Sequence, residues 1–133
     1  MLPGDRIVEY VLGVAACFSP GPDGTPQIPV DTRTGELRPD VWQQWLDWDP
    51  VRMIPGHPDQ LRSLRGVWID AGSADEFYLD LGAQALHRAL RAIGITGDGL
   101  HFDIVPGADH DTIGNRQVQS LCWLAAKLTE ATE

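Results

Sequence analysis

Residues 66–105 carry the pattern that most narrows the choice of fold. An apolar run, GVWIDA at 66–71, precedes a stretch with helical spacing, which leads to a second run, LHFDIV at 100–105. Leu79, Ala83, Leu86, Leu90 and Ile93 recur at intervals of 4, 3, 4 and 3, which makes one side of a helix over about 76–92 apolar. Gly94 stands where the residue just past that helix should be. Strand, helix, strand, with near-continuous apolar strands, predicts a parallel pair covered on both faces.

The flanking segments extend the alternation. Residues 5–12 read as an amphipathic helix, with Asp5 as its N-cap and Ile7, Val8 and Val11 on one side. GVAACF at 13–18 reads as a buried strand, stopped by Ser19-Pro20-Gly21-Pro22, and the Pro- and Gly-rich residues 20–39 read as loop. In DVWQQWLDWDP at 40–50, Trp42, Trp45 and Trp48 follow Asp40, a candidate N-cap, at spacings of three. They share one side of a short helix that Pro50 ends. A second short helix is expected over 58–64, and a last one over 113–129 with Val118, Leu121, Cys122, Ala125 and Leu128 turned to the core. The predicted fold class is α/β. One domain spans 1–133, with a parallel sheet of about three strands flanked by helices and a Trp-rich insertion over about 20–65.

Composition removes several classes of partner. Hydrophobic residues form 43% and charged residues 22% of the chain, enough for a packed core. The formal net charge of −9, with Lys127 the single lysine, argues against nucleic acid, whose phosphates need clustered cations. No apolar run approaches the ~18 residues of a membrane span, so no membrane partner is expected. MLPGDRIVEY lacks the basic and apolar segments of a secretion signal, which favours a cytoplasmic setting over export. Cys17 and Cys122 sit in apolar stretches and read as buried thiols, with a disulfide between them left open.

In open parallel sheets, chemistry gathers beyond the carboxyl ends of the strands. The loop after the second run, GSADEF, places Asp75 three residues past Gly72. The loop after the third, PGADHD, places His110 three residues past Gly107. A carboxylate and an imidazole on successive strand-end loops can meet as orienter and base, and their order fits nucleophile, acid, histidine. The plainer alternatives are a helix N-cap for Asp75 and a turn-bound loop side chain for His110.

GVWIDAGSADEFYLDLGAQALHRAL followed by HFDIVPGADHDTIGNR resembles the end of the putative esterase family, which includes esterase D-like S-formylglutathione hydrolases and feruloyl-type esterases. The resemblance covers about residues 13–128, and its two strand-end turns are the diagnostic part. It implies the C-terminal half of an α/β-hydrolase fold acting on a small-molecule ester. Asp75 would be the acid and His110 the base, with no cofactor or metal. The Trp42, Trp45 and Trp48 stretch resembles an insertion that forms part of the substrate-pocket wall; the alternative is a satellite core beneath a lid.

The family also needs a G-x-S-x-G elbow, and the chain has none. Ser19 is followed by Pro20, which has no N–H for an oxyanion, and Cys17 lies in an apolar run that would raise its thiol pKa. Ser63, Ser73 and Ser120 fall in helices or in the acid loop itself. The nucleophile is therefore expected from polypeptide outside the chain. A strand at 13–18 would then pair with that segment or with a second copy. The contrasting expectation is an inactive esterase remnant serving as an assembly module. His101, Asp103, Asp109, His110 and Asp111 form a weaker candidate metal set without ligand spacing, while His57 and His87 read as surface residues.

Overall fold

The computed structural model describes the backbone of residues 3–129 and the side chains of residues 7–129. The chain forms two compact units, one ending at Met53 and one beginning at Ile54.

The first unit opens with α1, Pro3–Phe18. The strand expected at 13–18 is therefore helical, and the sheet edge it would have offered for pairing does not exist. The physical reason is legible afterwards. Val11, Val14, Ala15 and Phe18 continue the 3- and 4-residue spacing begun by Ile7, and a single Gly13 costs a helix only about 1 kcal/mol. Ala15 is fully buried, whereas Cys17 is exposed rather than buried. Pro20 stops the helix, and 20–38 is loop tied by isolated antiparallel bridges, Pro20 to Pro26 and Val30 to Leu37.

Helix α2 is Pro39–Asp47. Its N-cap is Arg38, with Pro39 in the first turn, so Asp40 supplies first-turn charge instead of the cap. Pro50 opens a further single turn, α3, Pro50–Met53. The indoles gather round Phe18: Trp48 stacks on it at 6.2 Å, Trp45 meets it edge-on at 6.4 Å, and Trp42 lies 6.3 Å from Trp45. Trp45 Nε1 donates to Ser19 Oγ at 2.7 Å, and that hydroxyl is itself bound to the Gln27 carbonyl at 2.6 Å. Ser19 is a fully buried structural residue of this aromatic cluster.

The second unit is a mixed helix–sheet body. After α4, Pro58–Arg62, strand β1, Val67–Gly72, crosses through α5, Leu79–Ala92, to β2, Leu100–Val105. The strands pair in parallel from Val67–Leu100 to Gly72–Val105, as a βαβ unit requires. Among the described residues the sheet has these two strands. Ile54, Ile69 and Leu90 form the buried centre of one face, with Leu86, Ala83, Ile93 and Phe102 packed round it. The predicted α5 stripe is this core, apart from Leu79, which is 41% exposed. His87 is not a plain surface residue: its ring lies flat on Phe102 at 4.0 Å.

The other face carries Trp68 stacked on His101 at 3.5 Å and touched by Trp123. The expected last helix is α7, Gln117–Thr129, which starts four residues later than the spacing suggests and follows a short helix α6, His110–Ile113, and a 3₁₀ turn at Gly114–Arg116. Helix α7 also docks by the side opposite to the expected one. Trp123 turns to the sheet, while Val118, Leu121 and Leu128 are 65–70% exposed and Cys122 is exposed. An indole that can lie across Trp68 and His101 outweighs a stripe of smaller side chains.

Candidate active site

Two loops at the carboxyl ends of β1 and β2 meet because one position between them is glycine. A Cβ on Gly72 would lie 2.1 Å from the Ala108 carbonyl oxygen and 2.6 Å from its carbon, both backbone atoms. With no side chain there, the loops close on each other through hydrogen bonds. Ser73 N–H donates to the Val105 carbonyl at 3.0 Å, Ala74 N–H to the Ala108 carbonyl at 2.9 Å, and Gly107 N–H to Ser73 Oγ at 2.8 Å. Gly107 takes φ +73°, the left-handed conformation a side chain resists.

Asp109 then caps α6. Its carboxylate accepts from Thr112 N–H at 2.8 Å and from the Thr112 hydroxyl at 2.7 Å, while Asp109 N–H donates back to that hydroxyl. The Thr112 hydroxyl, and after it the Thr112 N–H, hold the Asp109 carboxyl below the usual carboxylate range. The cap fixes the backbone at His110, the first residue of α6.

His110 Nδ1 lies 3.1 Å from Asp75 Oδ2. The Asp75 side chain is about 1% exposed and the imidazole 34%, so the carboxylate is shielded while the ring still reaches solvent. The second carboxylate oxygen, Oδ1, accepts from Phe77 N–H at 2.8 Å. The Glu76 carboxylate accepts from His110 main-chain N–H at 3.3 Å, and the Phe77 ring stands at 80° to the imidazole, 5.0 Å between centroids. Tyr78 ends the turn with φ +57°, and α5 begins at Leu79, three residues later than the spacing suggested, because Asp75–Tyr78 is spent on this turn. Asp75 is thus not the cap of α5; that position is Tyr78.

The arrangement can hold an imidazole in one tautomer. The remaining serines are engaged locally: Ser63 Oγ and Ser120 Oγ donate to carbonyls three residues back, and Ser73 Oγ, in the acid loop itself, accepts from Gly107 N–H. Trp42, Trp45 and Trp48 belong to the first unit and its Phe18 cluster. The candidate metal set does not assemble. His101 lies under Trp68, Asp103 pairs with Arg116 at 2.9 Å, and Asp109 caps α6; among the described residues no three metal-binding side chains converge.

Arg116 ties β1 to β2 and has no place in the sequence expectations. It bridges Asp70 at 2.8 Å and Asp103 at 2.9 Å, carboxylates that are direct register partners on adjacent strands. The signal available in the sequence was an aspartate in each apolar run; the fold aligns them, and a cation must lie between. The turn residues Glu76 and Phe77 were also missed, since nothing in their spacing says what they touch. No helix among the described residues is long and apolar enough to cross a membrane. No protein-family model matches the chain, and no curated protein matches it either.

Proposed function

We propose that this chain carries the acid–base half of a serine-type carboxylic ester hydrolase acting on a small-molecule ester. The observation that supports the reading is the contact of His110 Nδ1 with the shielded Asp75 carboxylate at 3.1 Å, on loops that end adjacent parallel strands. In this reading β1 and β2 are the closing strands of a larger α/β-hydrolase sheet. A serine from polypeptide outside these 133 residues attacks the ester carbonyl. His110 Nε2 takes the hydroxyl proton as the serine–carbonyl bond forms and returns it to the leaving alcohol as the ester C–O bond breaks; it then takes a proton from the water that attacks the acyl-serine and returns it to the serine oxygen as the acyl C–O bond breaks and the acid leaves. Asp75 keeps the proton on Nδ1 and balances the imidazolium charge. No metal or organic cofactor takes part. Further strands, from a neighbouring segment or a second copy, add to the outer edge of β1, which has no strand partner among the described residues.

The test is expression of the chain from its own locus with the reading frame that adjoins it, followed by treatment with a fluorophosphonate. Covalent labelling, hydrolysis of nitrophenyl esters and loss of both in His110→Ala are the expected results. A polypeptide that neither labels nor hydrolyses any ester overturns the proposal. The second reading is an assembly module derived from an esterase, with the chain's own four serine hydroxyls in local hydrogen bonds as in the first. That module would stay unlabelled under the same treatment.

A further inference from the structure

We infer that Phe77 is the positioning residue of the His110 imidazole, and that the tripeptide Asp75-Glu76-Phe77 acts as a clamp on the histidine loop. The inference rests on the acid–base reading of Asp75 and His110 and adds to it the side chains that keep them aligned.

Three successive residues reach the same histidine by different chemistry. Asp75 Oδ2 meets Nδ1 at 3.1 Å, Glu76 Oε2 accepts the main-chain N–H at 3.3 Å, and the Phe77 ring stands edge to face against the imidazole at 5.0 Å. The division of labour follows from the atoms touched. Glu76 holds the backbone and leaves the ring free to rotate. Asp75 offers one oxygen to the ring, because its other oxygen is taken by Phe77 N–H at 2.8 Å. A single hydrogen bond to an imidazole that is 34% exposed does not exclude other rotamers. An aromatic ring at 80° to it adds a second bias toward the observed rotamer, since rotation about χ1 or χ2 loses that contact together with the bond to Asp75. Phe77 thereby acts on both partners, through its N–H on the carboxylate and through its ring on the base.

The test uses the whole chain labelled with ¹⁵N at histidine, and reads the solvent-exchange rate of the His110 Nδ1–H proton and the χ1 couplings of His110. Phe77→Leu keeps an apolar side chain and the main-chain donor but removes the aromatic edge. Exchange should accelerate about 2- to 10-fold, the range expected for one lost aromatic pair, and the χ1 couplings should become averaged. Phe77→Tyr keeps the ring and should return both readouts to the wild-type values. Should the leucine variant lose its dispersed amide spectrum, Phe77→Met replaces it. Unchanged exchange and couplings in a folded Phe77→Leu or Phe77→Met chain overturn the inference, as does a Phe77→Tyr chain that behaves like the leucine variant. A wild-type chain with no Nδ1–H signal that depends on Asp75 would instead strike the acid–base reading beneath it, so the two failures are distinct.

Discussion

Replacing Gly72 by alanine adds one methyl group where the two site loops cross, and the structure fixes what that methyl meets. The new carbon would stand 2.1 Å from the Ala108 carbonyl oxygen, against the roughly 3.0 Å below which Cβ contacts are essentially never seen, so the loops must part by about 0.9 Å. The obstacle is backbone and cannot swing aside as a side chain would. Overpacking of this kind costs about 1–3 kcal/mol, and the Ala74-to-Ala108 hydrogen bond that would break adds about 1 kcal/mol. A total loss of about 2–4 kcal/mol is expected, with the Asp75–His110 contact opened in what remains folded. The control is Gly82→Ala, one turn into α5. A Cβ there meets nothing within 4 Å, and the change should stabilise by about 0.5–1 kcal/mol through helix propensity. Urea unfolding followed by the amide signals of β1 and β2 measures both. Two alanine variants of equal stability, or a Gly72→Ala chain as stable as the parent, would refute the close-approach argument.

Other consequences are separable. Arg116→Met leaves the Asp70 and Asp103 carboxylates facing each other across the register, and should lower stability by about 1–2 kcal/mol in denaturant titration; adding Asp103→Asn should restore part of it. Burial, and after it the charges of Arg91 and Arg88, lower the His87 pKa from its ordinary 6.5. The unfolded chain therefore takes up a proton before the folded one does, and stability that is complete above about pH 6.5 is lost as pH falls from there through the lower folded value. His87→Gln should flatten that part of the pH–stability curve, read from urea midpoints at about pH 7.5 and about pH 5. Trp45→Ala removes the centre of the Phe18 cluster and its bond to Ser19, and should cost the first unit about 2–4 kcal/mol, measured by thermal melting. Trp48→Ala, at a side chain 55% exposed, should cost about 0.5–1.5 kcal/mol in the same assay.

The second unit was more legible in the sequence than the first, for a physical reason. Between Gly66 and Val105 the apolar period, the Gly94 stop and the two strand-end glycines all point to one solution, and β1, α5 and β2 form within three residues of their expected limits. GVAACF has no such agreement. Six apolar or small residues suit a buried strand or the last turns of a buried helix equally, and the spacing of Val11, Val14, Ala15 and Phe18 decides for helix. Helix α7 shows a different failure of pattern. It is apolar on two sides, and the larger aromatic contact of Trp123 settles which one packs. At the site, residue type and position on successive strand-end loops pointed to Asp75 and His110, and the fold brings the two side chains to 3.1 Å. What Glu76, Phe77 and Arg116 touch depends on loop conformation and strand register, which no periodicity encodes.

The ring nitrogens of His110 report most directly on whether Asp75 governs that imidazole. Long-range ¹H–¹⁵N correlation at neutral pH should show a protonated, pyrrole-like Nδ1 and an unprotonated Nε2, with the assignment lost in Asp75→Asn. A proton resident on Nε2 in the parent chain, unaffected by that substitution, would contradict the account.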